Sequence, residues 1–322
     1  MSNAAPRALT PDARLQNVIA ALHWEEIHAK PLRVIWTSER LDSVIAMIEL
    51  DDHRQVILKQ HRPETDAIRS AGTRACYEHD VLVSLRAAMT GAYSVPRPLL
   101  VDKPLGALVI ERASGRPLDE LIRERKRSDA GASTLVPLVA RAGTWLRLMQ
   151  HHTGSSEDAR PLLRRVVDLA LADLDAIAAH DWLIRRRRKD IAHALRTLGA
   201  RVQPGVAGHH GDYWPGNIFM DDQRVEVIDF EGYRLGLPME DVAYFLVQLE
   251  LLLPRHPRRV TPLRDAFLDA YHDGAPGDED ALRLFTLTKT LYALSRPPGA
   301  SHVLPLRLWL RHMQRRIVFR SV

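Results

Sequence analysis

The sequence contains a single cysteine, Cys76, among its 322 residues. An internal disulfide is therefore excluded, and we expect the chain to work in a reducing cytoplasm. No run of about 18 uncharged apolar residues is present, which argues against a membrane-spanning helix. Residues 1–12 also lack the basic and then apolar pattern of an export signal. With 46% apolar and 26% charged residues, the composition predicts a globular chain large enough for two lobes.

Acidic residues are missing from one long segment, Ala281 to Val322, although that segment contains eight lysines and arginines. A second basic run covers residues 185–189. Such patches favour anionic partners, but no aromatic interleaving or known binding module accompanies them, so no nucleic acid partner is expected. Apolar and basic stripes run along residues 306–317. They predict either weak contact with an anionic membrane surface or a helix packed on the core with solvated arginines.

Short β-like runs dominate the first third of the chain, and helical spacing dominates the rest. Strands are predicted at 34–36, 43–50, 55–60, 99–101, 107–110, 218–220 and 225–228. Helices are predicted near 65–89, 135–149, 161–179, 182–199, and from 239 onward with breaks near 254, 274 and 297. The predicted fold class is α+β. A small β-rich lobe occupies residues 1–111, a connector 112–117, and a larger, mostly helical lobe 118–322.

Three short polar residues, Asp212, Asn217 and Asp229, lie close together in the sequence between apolar runs. One carboxylate, Asp212, is suited to accept and orient a hydroxyl nucleophile. The amide of Asn217 and the carboxylate of Asp229 are hard oxygen donors of the kind that Mg²⁺ accepts beside nucleotide phosphates. This pattern predicts an enzyme that transfers a phosphoryl group to an alcohol.

A cation for the nucleotide phosphates is also needed, and Lys59 at the end of a predicted strand is the candidate. Glu78 lies on the helix that follows, where an ion pair with Lys59 would fix the position of the ammonium group. The order of lysine, strand, helix and glutamate supports these two assignments in combination with the downstream motif.

Neighbours of the motif are predicted to play supporting roles. His210 is expected to support the loop, and His209 is expected to be incidental. Asp241 is predicted to be a buried carboxylate that binds the backbone of the catalytic loop, after a turn at residues 236–238. Glu231 is predicted to contact either a second metal ion or a neighbouring loop.

Three segments closely resemble the aminoglycoside phosphotransferase and choline kinase family. They are His210 to Asn217, Val227 to Glu231 and Gly236 to Asp241. Residues 95–98 and 109–118 resemble the fourth and fifth strands and the hinge of that family. The resemblance extends over about residues 33–245, and the catalytic segment is its most specific part.

That resemblance implies a protein-kinase-like fold of two lobes with ATP or GTP between them. Adenine would bind hinge backbone near Glu111 to Ala113, and the family roles fall on Lys59, Glu78, Asp212, Asn217 and Asp229. The first hairpin, residues 37–43, departs from the expected pattern because it contains no glycine. A phosphate-covering loop usually uses glycine for close backbone approach, so Ser38 or Ser43 is expected to substitute.

The acceptor is predicted from charge. From Glu240 to Val322 there are nine acidic and twelve basic residues, a balance that favours a neutral or anionic acceptor such as a sugar or a lipid-linked glycan. An aminoglycoside or choline-type amino alcohol, which would favour carboxylates and aromatics, is an alternative. A second alternative is a catalytically silent nucleotide-binding or scaffold protein of the same fold, suggested by the glycine-free hairpin.

Overall fold

The computed structural model describes residues 13–40, 42–62, 70–125, 131, 133–253 and 257–295. They divide into two compact units. Unit one contains the residues up to Gly115 together with Glu226–Glu231, and unit two contains the remainder. The division falls inside the predicted connector, whose role as a hinge stays a prediction. The short segment 226–231 was expected to belong with the second lobe, but its side chains bind residues of unit one.

Unit one is built on a five-stranded antiparallel sheet with the order β1-β2-β3-β6-β5. Its strands are β1 Pro31–Glu39, β2 Ser43–Leu50, β3 Gln55–His61, β5 Pro98–Asp102 and β6 Ala107–Glu111, with the two-residue β4 at Tyr93–Ser94. Helix α1, Ala13–Ala21, packs its apolar residues into the core of this unit. The first half of β3 alternates between buried and partly exposed residues. Its last four residues are all buried, including the polar Lys59, Gln60 and His61. Buried polar groups need partners, so this strand end marks a polar site.

Helix α2, Ala71–Ala88, begins where the Ser70 side chain accepts a hydrogen bond from the Thr73 amide. This N-cap satisfies one of the free N–H groups of the first turn. The helix was predicted to begin near residue 65, but residues 63–69 lie outside the described part of the chain. α2 places buried Arg74 and Glu78 on the side that carries the polar site.

Unit two is mainly helical. Its helices are α3 Leu118–Arg125, α4 Val136–His152, α5 Arg160–His180, α6 Trp182–Arg201, α7 Pro238–Leu252, α8 Pro257–His272 and α9 Glu279–Ser295. Short strands accompany them at β7 Arg116–Pro117, β8 Ala207–His209, β9 Ile218–Met220 and β11 Arg234–Gly236, while β10 Val225–Val227 runs across the boundary of the units. β8 pairs with β11, and β7 pairs with β9, in antiparallel fashion.

Aromatic rings fill the core beneath the loop that follows β8. Tyr213 stacks on Trp145 with centroids 5.7 Å apart, and Phe245 stacks on Phe267 at 4.2 Å. The Tyr213 hydroxyl donates to the backbone oxygen of Ala142 at 2.7 Å. Burial of rings of this size supplies much of the apolar stabilisation of a domain, and here it fixes the loop that begins at His210.

Within the described helices, none is both long enough and apolar enough to cross a membrane. Residues 306–317, on which the predicted membrane contact depends, lie outside the described part of the chain. That contact therefore stays a prediction.

Candidate active site

Unit one gathers three carboxylates around the ammonium group of Lys59. Its Nζ lies 2.7 Å from Asp229 Oδ1, 2.9 Å from Glu78 Oε2 and 3.4 Å from Glu231 Oε2. The Lys59 side chain is only 10% exposed. Burial alone lowers the pKa of a lysine, but the three negative charges outweigh burial and raise the pKa of Lys59. The group is therefore a fixed cation at neutral pH.

Glu78 ties helix α2 to the segment that carries Asp229. One carboxylate oxygen binds Lys59, and the other, Oε1, accepts a hydrogen bond from the Phe230 amide at 3.1 Å. Burial opposes ionisation of Glu78, but the charge of Lys59 outweighs it and lowers the pKa of the carboxyl. The ion pair that the sequence predicts is thus formed, and both of its members are charged.

The turn after β10 presents its carboxylates toward this cation. Asp229 has a φ of 70°, in the left-handed region, which aspartate tolerates better than most residues. Phe230 next to it is fully buried and anchors the turn. Glu231 pairs with Arg74 at 2.7 Å, and Arg40 from the first hairpin lies 3.5 Å from Asp229 Oδ2. Glu231, which the sequence left open, therefore contacts Lys59 and a residue of α2.

Unit two holds the other half of the predicted motif. The side-chain amide of Asn217 donates to the Asp212 carboxylate and to the Asp212 backbone oxygen, each at 3.0 Å. Asn217 is buried, and a one-turn 3₁₀ helix at Pro215–Asn217 sets its position. Because the amide N–H₂ group is occupied by Asp212, the amide oxygen of Asn217 is the atom left for a metal ion.

Helix α7 contributes a residue that the sequence did not single out. The Tyr244 hydroxyl hydrogen-bonds the Asp212 carboxylate, with Gln248 one turn further along the helix as a second partner. Burial raises the pKa of Tyr244, and the negative charge of Asp212 adds to the effect. Tyr244 therefore stays protonated and donates to Asp212. In the sequence it lies within an apolar helical run, where nothing distinguishes it from a core tyrosine.

Asp241, at the start of α7, supports the loop as predicted, and this prediction is confirmed. It is fully buried and accepts from the amides of His210 at 2.7 Å and Gly211 at 3.1 Å. Burial raises the pKa of Asp241, but the interactions with His209 and the His210 amide outweigh it and lower the pKa. His210 in turn accepts through Nδ1 from the Asp212 amide at 3.2 Å.

The expectation that His209 is incidental is wrong. The ring is buried, and its Nε2 lies 3.1 Å from Asp241 Oδ1. Strand β8, which carries His209, and its pairing with β11 were not predicted either. Neither strand contains a β-branched residue or a Phe, Tyr or Trp, which are the residue types that mark a strand in a sequence.

Removal of the Asp241 carboxylate should destabilise unit two strongly. In Asp241→Ala the two loop amides and the ring of His209 lose their buried acceptor, which costs about 3–5 kcal/mol for a buried charged partner. Urea denaturation measures the change. Because the pKa of Asp241 is lowered in the folded protein, its contribution is present above the ordinary value of 3.8 and is lost as pH falls below it. The difference between the two proteins should therefore shrink in acid.

The matched control is Asp190→Ala, because Asp190 forms an exposed pair with Arg187 at 3.0 Å in the same unit. A surface pair contributes about 0–1 kcal/mol. Equal losses in the two variants would contradict the supporting role of Asp241.

The remaining predicted residues lie in unit one. Ser43 is buried, and its hydroxyl donates to Asp42 Oδ1 at 3.2 Å. Glu111 ends β6 and pairs with Arg97 at 2.9 Å, and the buried Ala113 follows it. Their roles in nucleotide binding stay predictions. The structure brings Lys59, Glu78 and Asp229 together in unit one and Asp212 and Asn217 together in unit two.

Comparison with known proteins gives the family. The sequence profile described as the phosphotransferase enzyme family (APH) matches residues 46–285. The chain belongs to this phosphotransferase enzyme family. A comparison with curated proteins finds no significant match.

Solved structures show the same fold at low sequence identity. A macrolide 2′-phosphotransferase from Brachybacterium faecium is 15% identical, with 95% of this chain and 96% of that chain covered and a TM-score of 0.58. A glucosamine kinase in complex with glucosamine, ADP and inorganic phosphate is 16% identical, with coverage of 95% and 98% and a TM-score of 0.53. A choline kinase from Cryptosporidium parvum is 12% identical, with coverage of 96% and 98% and a TM-score of 0.60.

The predicted fold class is confirmed: the chain has a protein-kinase-like fold with a β-rich N-terminal part and a helical C-terminal part. The predicted enzyme class is confirmed as well. The protein is a small-molecule phosphotransferase.

Proposed function

We propose that the enzyme transfers the terminal phosphoryl group of ATP or GTP, with Mg²⁺, to a hydroxyl group of a neutral or anionic, sugar-like or lipid-linked acceptor. The observation that carries the proposal is the buried, positively charged Lys59 held by Glu78 and Asp229. A fixed cation and a carboxylate beside it suit phosphates that arrive with a divalent ion. The glucosamine kinase with ADP supports a nucleotide donor.

On the donor side, Lys59 binds α- and β-phosphate oxygens, and its pairing with Glu78 keeps the ammonium in place. The oxygens of Asp229 and Asn217 fit Mg²⁺, since both are hard donors and the Asn217 amide group is oriented by Asp212. When bound, the ion neutralises charge on the phosphates. The backbone of Glu111 and Ala113 hydrogen-bonds the nucleotide base. Ser43 and the first hairpin cover the phosphates.

On the acceptor side, Asp212 orients the hydroxyl and receives its proton. The acceptor oxygen forms a bond to the γ-phosphorus while the bond from that phosphorus to the bridging oxygen breaks, and the nucleoside diphosphate leaves. Two donors, Asn217 and Tyr244, hold the Asp212 carboxylate in one orientation. Positioning of this kind is the main contribution that a protein makes to phosphoryl transfer.

Charge in unit two supports an acceptor that is not a polycation. Glu240 on α7, one of the acidic residues available there, pairs with Lys289 of α9 at 2.6 Å. Burial raises the pKa of Glu240, but Lys289 outweighs it and lowers the pKa, so the carboxylate is ionised and already neutralised by its partner. The uncharged side chains of Tyr244 and Gln248 on the same helix suit hydroxyl groups.

A panel of acceptors tests this proposal. Purified enzyme, MgCl₂ and ATP or GTP are incubated with neutral sugars, sugar phosphates, a lipid-linked glycan analogue, an aminoglycoside and choline, and nucleoside diphosphate release is measured. We expect release above background with a sugar-type acceptor. Selective turnover of the aminoglycoside or choline would overturn the acceptor assignment and favour the amino-alcohol alternative.

The glycine-free hairpin makes nucleotide binding the second property to test. Arg40 lies in this hairpin and pairs with Asp229. Thermal unfolding with Mg²⁺ and either ATP or GTP shows whether the nucleotide binds, because a ligand at 100 times its dissociation constant stabilises a protein by about 2.7 kcal/mol. We expect a clear rise in Tm. No rise in Tm with either nucleotide would contradict the proposed nucleotide donor.

A further inference from the structure

His61, the last residue of β3, has a buried imidazole that belongs to none of the roles described so far. Its side chain is 0% exposed, and among the described residues neither ring nitrogen has a hydrogen-bond partner. Nε2 lies 3.6 Å from Glu78 Oε2, and Nδ1 lies 3.6 Å from Glu231 Oε2. Buried side-chain nitrogens are rarely left without a partner, so the surroundings of this ring point to a ligand.

The two distances are too long for hydrogen bonds, which rarely exceed about 3.2 Å for N–H···O. The two distances start from different ring nitrogens, and only one of these can bind a given ion, so one of the distances at most is a spacing between two ligands of that ion. A spacing of 3.6 Å is close to the value of about 3.4 Å that separates donors about 2.1 Å from Zn²⁺ in a tetrahedron. One donor atom each from His61, Glu78 and Glu231 lies within 4.8 Å of the others. One imidazole and two carboxylates are a donor set that zinc accepts, with water in the fourth position.

We propose that His61, Glu78 and Glu231 bind one divalent transition-metal ion of the Zn²⁺ class, in competition with the ammonium group of Lys59. Lys59 Nζ contacts Oε2 of both glutamates, at 2.9 and 3.4 Å. The ion and the ammonium therefore share the same two oxygens. Binding of the ion releases Lys59 from Glu78, while Asp229 remains as the partner of the lysine at 2.7 Å.

The imidazole determines which metal fits. Mg²⁺ prefers an all-oxygen shell and gives up water reluctantly, whereas imidazole suits zinc and its neighbours in the first transition row. The site is therefore distinct from the proposed Mg²⁺ ligands, Asp229 and Asn217. Where Lys59 acts on the nucleotide as proposed above, a bound zinc ion inhibits phosphoryl transfer by taking Glu78 away from it.

Equilibrium dialysis of the full chain against ZnCl₂, without nucleotide and with excess MgCl₂, tests the site directly. We expect about one tightly bound zinc ion per chain in the wild type. In His61→Gln the dissociation constant for zinc should rise at least about tenfold. Loss of a residue that only hydrogen-bonds a metal ligand already weakens binding about 10–100-fold, and loss of a ligand itself should cost no less. The control is His79→Gln, on helix α2 next to Glu78, which should bind zinc as the wild type does.

A second variant keeps the test decisive if His61→Gln does not fold. Lys59→Met removes the competing ammonium, so zinc should bind at least about tenfold more tightly than in the wild type. Adventitious binding at surface histidines would be unaffected by this change. No zinc binding by the wild type, equal binding by His61→Gln, or unchanged affinity in Lys59→Met would overturn the proposal. None of these outcomes depends on phosphoryl transfer, so they leave the proposed function to its own test.

Discussion

Asp212→Asn is expected to reduce turnover by roughly 10²–10⁴-fold, the range that positioned acid–base groups contribute. The substituted amide keeps the shape of the side chain but cannot receive the acceptor proton. Its neighbours Asn217 and Tyr244 donate to the carboxylate in the wild type, so the amide also meets donors on both sides. Steady-state assays with the best acceptor measure kcat, and the KM for the nucleotide should change only a few-fold.

The matched control is Asp222→Asn, in the exposed turn between β9 and β10. It removes an equal charge from the same unit and should leave kcat as in the wild type. Thermal unfolding of Asp212→Asn within a few degrees of the wild type shows that the fold is retained. Turnover preserved in a folded Asp212→Asn protein would remove Asp212 from the proposed reaction.

Lys59→Met should have the second large effect, on both activity and stability. The substitution leaves Glu78, Asp229 and Glu231 without their shared cation. Breaking a buried ion pair by removing one partner costs about 3–5 kcal/mol, because the remaining charge stays buried. The nucleotide phosphates also lose the cation proposed to bind them. Urea denaturation and nucleotide titration measure the two losses.

The pH dependence of this effect has a definite sign. The pKa of Lys59 is raised, so its contribution is complete below the ordinary value of 10.5 and is lost as pH rises through the folded value. The pKa of Glu78 is lowered, so its contribution is present above the ordinary value of 4.5 and is lost as pH falls. Between these limits the stabilisation in the wild type should be nearly constant.

Without Lys59, burial is left as the dominant influence on Glu78 and raises the pKa of its carboxyl. Lys59→Met should therefore gain stability relative to the wild type as pH is lowered from neutral toward the ordinary value of 4.5. The control is Lys30→Met at an exposed position of unit one, which should show no such trend. Parallel stability curves for Lys59→Met and the wild type over this range would contradict the three-carboxylate arrangement.

Local patterns in the sequence were sufficient to predict helices and strands that are long and amphipathic. The helical spacing at 135–149, 161–179 and 182–199 corresponds to α4, α5 and α6, and the runs at 43–50 and 55–60 correspond to β2 and β3. Short or irregular elements were missed. Helix α1 was not predicted because nine residues give little helical periodicity to recognise. The β8–β11 pair was not predicted because neither strand contains a β-branched residue or a Phe, Tyr or Trp.

The residues of the candidate site also fall into those that local sequence predicts and those that it does not. Asp212 and Asn217 are five residues apart, and their contact is a local turn that the residue types and Pro215 favour. Tyr244, His209 and Arg74 could not be found in the sequence, because each gains its role from a partner on another element. The identity of these residues carries no signal until packing gives them a neighbour.

By itself, the sequence determined the chemistry: the carboxylates, the amide and the lysine, the helical stretches, and the local turn that joins Asp212 to Asn217. Only the tertiary structure decided which charges meet. Lys59 is 19 residues from Glu78 and 170 residues from Asp229, and contacts over such separations form only when burial of the surrounding core offsets the entropy of closing the chain. That packing placed the cation among three carboxylates and left His61 beside two of them.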